Sequence, residues 1–466
     1  MNGLSKNPYF GKRVAVLGMG RSGLAAARLL KKYGADVTVC DSMNSAVLTQ
    51  RAGKLCEEGL RVLTGPAADK DPSGYELAIL SPGIEESTAL VRNIILKGVP
   101  LIGELELAYS LCKCPVIAIT GSNGKTTTTE LTTLMMRQAG LIVSSCGNIG
   151  IPMSEVLLSD EFWDALVVEV SSFQLETIKT FRPNVAAWLN LSPNHLDRYR
   201  SLKEYRYAKL RIFENQCEKD TAILPHGEEF PGLKARRITF STTDPSADLT
   251  MLGNSILHQG EAILDLGETK LNGTHNAANL MAAFGSVFAV AGRIPVTGPD
   301  IKNYHPPAHR CELIAEFSGV RWINDSKATN LDAMVQAIRS VKGPLVLIAG
   351  GKDKGFGFSP VAALVRERVD FAILIGEMRH RIASEWSGIP ISTVESLEEA
   401  VMLASQHTVS KPQCTVLLSP GTSSFDMFSD YIERGERFRK LVQKHLKEAG
   451  MNGQGSLPET KSASNK

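Results

Sequence analysis

Thr120-Gly121-Ser122-Asn123-Gly124-Lys125-Thr126-Thr127 lies between an apolar, β-branched run, Pro115 to Ile119, and a segment where Glu130, Leu131, Leu134, Met135 and Gln138 recur at helical spacing. Strand, glycine-rich turn, helix is the order of a loop that holds phosphate. The glycines leave backbone N–H groups uncovered, and the helix that follows directs its positive end at the loop. Lys125 adds a cation where the β- and γ-phosphates of a nucleotide would lie. Thr126 can offer its hydroxyl to Mg²⁺. The common pattern G-x-x-x-x-G-K-[ST] asks for glycine where this chain has Ile119, and the extra glycine falls at Gly121. The loop is a variant; the alternative is an ordinary glycine-rich turn before a helix.

Upstream, an apolar strand, Val14 to Leu17, precedes Gly18-Met19-Gly20-Arg21-Ser22-Gly23, a helix from Leu24 to Tyr33 and a second strand ending in Asp41. This is a βαβ dinucleotide fingerprint, including the acidic residue roughly 20 positions past the glycines. It reads first as an NAD site. The same loop would hold any pyrophosphate, a nucleotide-diphosphate sugar included, or would only pack helix on sheet. A further strand, Leu77 to Leu80, opens into Ser81-Pro82-Gly83-Ile84, and the pattern changes near Gly103, where a first domain boundary is expected.

Downstream, the strand Ala165 to Val170 carries Glu169 near its end, either a Mg²⁺ ligand beside the phosphate loop or a solvent-facing carboxylate. Another, Val185 to Leu191, delivers Asn194-His195-Leu196-Asp197, with His195 a metal ligand or a capping residue. Leu202 to Asn215 predicts a helix whose apolar face holds Leu202, Tyr205, Ile212 and Phe213, and Lys209 falls on that face. Such a lysine either snorkels to water or is desolvated, its amine then free to react, for example with carbon dioxide to give a carbamate. Residues 220–270 are turn-rich with short strands and carry no chemical signature. Gly273-Thr274-His275-Asn276 opens an Ala-rich helix that Asn276 would cap. Pro295, Pro299, Pro306 and Pro307 mark a linker with a second boundary near Tyr304.

Three more strands end in polar, glycine-rich loops: Asn324-Asp325-Ser326-Lys327-Ala328-Thr329-Asn330, the Gly350 to Gly355 turn, and Ser419 to Phe425. Loops at strand C-termini are where open parallel sheets bind ligands, and Lys327 and Lys354 suit a small anionic substrate. A closing amphipathic helix, Tyr431 to Leu446, reads as structural, and the tail past Gly450 as disordered.

Bulk properties set limits. A chain of 466 residues exceeds one core, and a soft prior gives roughly two to four domains, of which three are expected. A net charge of +2 with 21% charged residues gives no reason to expect a nucleic-acid or membrane partner. The eight cysteines are scattered, Cys112 and Cys114 being the only close pair, which suits reduced thiols in a cytoplasm. No signal peptide is apparent, and the uncharged stretch Asn276 to Gly292 falls short of the roughly 20 apolar residues of a membrane span.

Taken together, TGSNGKTTT, VVEVSSFQLE, NHLDRY, YAKLRIFEN, GTHNAANLMAA, AHRCE, NDSKATN and LSPGTSSFD, in that order, resemble the blocks of the Mur ligase family, ATP-dependent amide-forming enzymes of peptidoglycan assembly. The resemblance covers the chain to about Leu446. It implies an α/β protein of three domains: an N-terminal Rossmann-like domain for a UDP-substrate, 1–103; a central P-loop ATPase-type domain, 104–305; and a C-terminal Rossmann-like domain for an amino acid, 306–449. A disordered tail, 450–466, would follow.

The N-terminal loop then turns from NAD to UDP. The resemblance implies UDP-N-acetylmuramoyl-L-alanine at Gly18, Gly20, Ser22, Gly23, Asp41, Ser42, Ser81, Gly83 and Asn148. It implies ATP at Gly121, Ser122, Asn123, Gly124, Lys125, Thr126, Thr127, Asn276, His309, Arg310 and Asp325. D-glutamate would meet Lys327, Thr329, Lys354, Ser424, Phe425 and Tyr431. Lys125, Glu169, His195 and Lys209 would be catalytic. Thr126, Glu169, His195 and Lys209, the last as a carbamate formed from carbon dioxide, would hold two Mg²⁺ ions.

A cytoplasmic monomer is expected, with closure of its domains about the Pro-rich linker. Two departures stand out: Asn194 where the family usually has aspartate before the histidine, and Ser42-Met43 where relatives often have threonine and arginine. Another amino-acid-adding relative, folylpolyglutamate synthetase included, and a nucleotide sensor without turnover are the rival readings. Intact Lys125, Glu169, His195 and Lys209 speak against the sensor.

Overall fold

Val14 to Leu17, Ile117 to Ile119, Leu166 to Val168, Val346 to Ala349 and Val416 to Leu418 are wholly buried. Short, uninterrupted aliphatic runs of this kind form strands covered on both faces, the mark of parallel sheets with helices on either side. A computed structural model describes residues 7–43, 45–70, 74–85, 88–196, 198–271, 273–293, 298–341, 343–409 and 413–448. Asp197 of NHLDRY, Pro295 of the expected linker and the expected disordered tail, 450–466, lie outside the described residues.

Three sheets organise the described residues. The first has five parallel strands in the order Arg61–Thr64, Asp36–Asp41, Arg13–Leu17, Leu77–Leu80, Leu101–Gly103. Chain order reverses beside Arg13–Leu17, so the loops after Leu17 and Leu80 open at one switch point, the place where such sheets take ligands.

The second sheet has nine strands. Val116–Thr120 is third from one edge, between Val185–Trp188 and Ala165–Glu169, and Val143–Gly147 follows beyond Ala165–Glu169 as the edge strand. On the other side come Thr221–Pro225, Arg236–Ser241 and Leu249–Leu252, then an antiparallel meander through Ser255–His258 to Glu261–Asp265. The turn-rich stretch 220–270 is therefore the extension of this sheet.

The third has six strands, Glu312–Phe317 antiparallel at one edge, then Val320–Asn324, Thr415–Leu418, Leu345–Gly350, Phe371–Ile375 and Ile391–Thr393. Its two faces bury separate clusters, one around Phe358 and Trp386 and the other around Trp322 and Phe438.

The described residues group into two compact units. The first holds the first two sheets, through Asn190, together with Tyr205–Lys270 and Asn276–Tyr304. The second holds Leu191–Glu204, Leu271–His275 and the chain from His305 onward. Within the first unit the Arg21–Lys32 helix packs on Glu104–Leu111 and Met153–Val156, with Arg21 and Glu155 paired at 3.1 Å.

Several local expectations need correction. The strand expected through Leu191 ends at Trp188. The helix expected from Leu202 to Asn215 is α-helical only to Leu210 and tightens into a 3₁₀ turn, Arg211–Phe213. Leu202, placed on the apolar face, is 38% exposed, because the first turn of a helix lies beyond the surface that the rest packs against. Asn276 does not cap its helix, which begins at Thr274. The Pro-rich linker contains a helical turn, Pro299–Lys302, that packs on the Lys125–Gln138 helix, and Tyr304 donates its hydroxyl to Glu130.

Candidate active site

The phosphate-loop geometry follows from its glycines and from the strands beside it. Gly124 has φ +82°, a left-handed conformation, and a Cβ there would stand 2.2 Å from Asn279 Oδ1. Only glycine lets the loop turn into the helix so close to Asn279. Asn190, just past Val185–Trp188, clamps the other side: its Oδ1 accepts from Asn123 N at 2.9 Å, its Nδ2 donates to Asn123 O at 3.1 Å, and its carbonyl accepts from Ser122 N at 3.1 Å. Neither side chain figured among the sequence candidates. A polar residue leaving the strand next to the phosphate-loop strand was the available signal for Asn190.

Glu169, only 2% exposed, stands at the end of its strand. Its Oε2 accepts from Thr126 Oγ1 at 2.8 Å and its Oε1 from Asn148 Nδ2 at 2.8 Å. The solvent-facing alternative is excluded, and three expected residues meet on one carboxylate. Gly147 allows this closeness, since a Cβ on it would lie 2.2 Å from the Glu169 carbonyl oxygen. A buried carboxylate with a hydroxyl within reach offers the hard oxygen donors that Mg²⁺ prefers.

Lys209 is 1% exposed, so the snorkelling reading is excluded. Its Nζ donates to Gly121 O at 2.9 Å and to Thr120 Oγ1 at 3.3 Å, and Lys125 Nζ donates to the same Gly121 O at 2.9 Å and to Ser122 O at 3.0 Å. Burial, and then the neighbouring Lys125 cation, drive the Lys209 amine well below the ordinary lysine range, while Glu169 opposes them. Both effects favour the uncharged form of the amine.

His195 has φ +57° and belongs to the second unit. Its backbone amide donates to Asn194 Oδ1 at 3.0 Å, and its carbonyl accepts from Arg198 N and Tyr199 N at 3.0 and 2.9 Å. Asn276 lies on the first turn of its helix, within the first unit, and its Oδ1 accepts from Asn279 Nδ2 at 3.4 Å.

At the first sheet's switch point Gly23 is required, since a Cβ there would lie 2.0 Å from the Gly18 carbonyl oxygen. Asp41 accepts from Met19 N at 2.9 Å through Oδ2 and from Met43 N at 3.0 Å through Oδ1, so the carboxylate also shapes its own loops. Ser42 donates to Asp69 at 2.7 Å. Ser81 is buried, while Gly20 and Gly83 are open above their Cα atoms. Arg51 reaches Met19 O at 2.9 Å, placing near this loop a cation that the sequence motif did not reveal.

In the second unit the three polar loops meet. Lys354, 8% exposed, donates to Thr329 O at 3.2 Å and to Asn194 Oδ1 at 3.3 Å. The Lys327 ammonium lies 3.9 Å from the centre of the Tyr431 ring. Ser424 is buried and Phe425 is 65% exposed. Arg434, absent from the sequence candidates because it sits in a helix read as structural, is 1% exposed. It donates to Ser326 Oγ at 2.9 Å, Ser326 O at 2.8 Å and Thr422 O at 3.3 Å, tying two of the loops together.

His309 is buried, 2.9 Å from Asn324 Nδ2 and 3.5 Å from Glu436, and Arg310 beside it is half-buried. Burial pushes the Asp325 carboxyl up to about 7, opposed by Ser419 Oγ at 2.8 Å and Cys311 N at 3.1 Å.

Comparison with known proteins agrees along the chain. Residues 12–103 match the Mur ligase MurD-like N-terminal domain, 119–287 the Mur ligase middle domain and 309–421 the Mur ligase glutamate ligase domain. The UDP-N-acetylmuramoylalanine–D-glutamate ligase of Syntrophotalea carbinolica is 40% identical over 93% of this chain and 98% of its own length. That of Caldanaerobacter subterraneus is 37% identical over 92% and 98%. Among solved structures, UDP-N-acetylmuramate-alanine ligase from Thermotoga maritima has the same fold, with a TM-score of 0.61 at 18% identity over 93% of this chain and all of its own. MurF ligase from the same organism, solved with ADP, gives 0.59 at 16% identity over 96% and 98%.

Proposed function

This chain belongs to the Mur ligase family, and from that premise we propose that it joins D-glutamate to UDP-N-acetylmuramoyl-L-alanine with hydrolysis of ATP, in cytoplasmic synthesis of peptidoglycan precursors. The observation that carries the reading is the agreement of about 40% identical D-glutamate ligases over nearly the whole chain with an intact Lys125, Thr126, Glu169 and Lys209 constellation around one phosphate loop.

A carboxylate resists attack by an amine. Transfer of the γ-phosphoryl group of ATP to the muramoyl-alanine carboxylate gives an acyl phosphate, the D-glutamate amine adds to its carbonyl, and the tetrahedral intermediate expels phosphate. Lys125, now bonded to loop carbonyls, turns to the β- and γ-phosphates and offsets the repulsion between two anions. Thr126, Glu169 and the Lys209 carbamate are suited to hold Mg²⁺, two ions in all, which supplies counter-charge and alignment when bound. His195 joins them on the family resemblance alone. Asn148 orients the muramoyl substrate and keeps Glu169 in place.

Gly18, Gly20, Ser22, Gly23, Asp41, Ser42, Ser81 and Gly83 take the UDP moiety. Asn276, His309, Arg310 and Asp325 serve the nucleotide. Lys327, Thr329, Lys354, Ser424, Phe425 and Tyr431 receive D-glutamate. Three domains divided near Gly103 and Tyr304, acting as a monomer, complete the proposal.

The test is phosphate release from ATP with UDP-N-acetylmuramoyl-L-alanine and a panel of D- and L-amino acids. Release is expected with D-glutamate. Release with meso-diaminopimelate and none with D-glutamate overturns the assignment.

A further inference from the structure

Cys112 is the residue that closes the Glu104–Leu111 helix, and Cys114 stands two positions on, just before the phosphate-loop strand. Their sulfurs are 3.6 Å apart, and Cys112 Sγ also lies 3.5 Å from the Cys114 carbonyl oxygen. Both side chains are half-buried, open to a small reagent, whereas Cys40, Cys146 and Cys414 are buried. The ligase chemistry uses neither thiol.

We propose that Cys112 and Cys114 form a redox-active dithiol, a modification site for small-molecule disulfides. The hydrogen bond between the two sulfurs lowers the Cys112 thiol and raises its partner, so the pair gives up its first proton more readily than an isolated thiol. The Cys112 thiolate attacks one sulfur of the disulfide, whose S–S bond breaks and releases one thiolate. Cys114 then gives its proton to solvent and attacks Cys112 Sγ, releasing the second thiolate. The two cysteines are oxidised by two electrons, and the small disulfide is reduced by two to a pair of thiols. Separation below van der Waals contact plus a few tenths of an ångström means that little chain movement brings the sulfurs to bonding distance. The site is independent of the ligase assignment.

The experiment exposes the full chain to oxidised glutathione, traps the remaining thiols, and maps the products by mass spectrometry, with Cys112→Ser and Cys114→Ser alongside. The wild-type protein is expected to lose two hydrogens across the Cys112 and Cys114 peptide. Cys114→Ser should stop with one glutathionyl group on Cys112, and Cys112→Ser should leave Cys114 unmodified under the same exposure. Alkylation of Cys112 in the wild type should reach half its limiting rate below the pH expected of an ordinary thiol. A wild-type protein that carries only mixed disulfides at this pair, or leaves it untouched while exposed Cys56 reacts, overturns the proposal. The wild-type result stands even if a serine variant fails to fold.

Discussion

Lys209 shows how far one side chain's chemistry depends on what surrounds it. Its helical spacing puts it on an inward face, but spacing alone does not separate a snorkelling lysine from a desolvated one. The difference comes from Gly121 and Thr120, whose oxygens receive the amine inside the fold, and from Lys125, which keeps a second cation on the same carbonyl. If the amine becomes a metal-binding carbamate, Lys209→Ala removes an anion that the methyl group cannot replace. Phosphate release should fall roughly a hundredfold or more, the scale of losing one preorganised charge in an active site, and bicarbonate should not restore it. An undiminished rate would show that the buried amine only braces the loop.

At the scale of the element, the phosphate loop depends on Gly124 for its passage into the helix. Gly124→Ala places a methyl group 2.2 Å from Asn279 Oδ1 at φ +82°. Because Asn279 is held in a buried helix and also receives the Thr128 hydroxyl at 3.4 Å, the loop must shift. The variant should lose about 1–3 kcal/mol of stability together with most of its affinity for ATP, read by thermal melting and by calorimetric titration. Unchanged nucleotide affinity would mean that the loop tolerates the displacement and that its fit to phosphate is not set here. The same element marks the limit of what the chain discloses in one dimension. Strands buried on both faces announce themselves as aliphatic runs that end in polar loops, so the placement of Glu169, Thr126 and the three C-terminal loops at strand ends was legible. Arg51 and Arg434 were not, because each acts on a loop far away in sequence, and Asn190 left only the signal of a polar residue at its strand's exit. The meander 249–265 showed only as short strands without bounds or pairing, since a sheet edge half open to solvent carries mixed residues and no clear run.

For the molecule as a whole, each compact unit buries a carboxyl that favours its neutral form. In the first, Glu104 is 1% exposed, accepts from Ser154 N at 2.7 Å, and is raised above the usual carboxylate range by burial. In the second, Asp325 is raised from 3.8 to about 7, again by burial. A carboxyl raised on folding stabilises most below its unfolded value, and that contribution is lost as pH climbs through the folded value. For Asp325 the window runs from about 4 to about 7. Folding of the ligand-free protein should weaken across it, and Asp325→Asn, isosteric and never charged, should remove that loss. Ser419 Oγ and Cys311 N keep a partner of the same shape, so the substitution leaves little strain of its own. Scanning calorimetry should find the variant close to wild type near pH 4 and several degrees more stable at pH 8, with the gap opening through the interval and constant above it. A difference that does not vary with pH would show that the Asp325 carboxyl stays ionised in the fold, held so by Arg310.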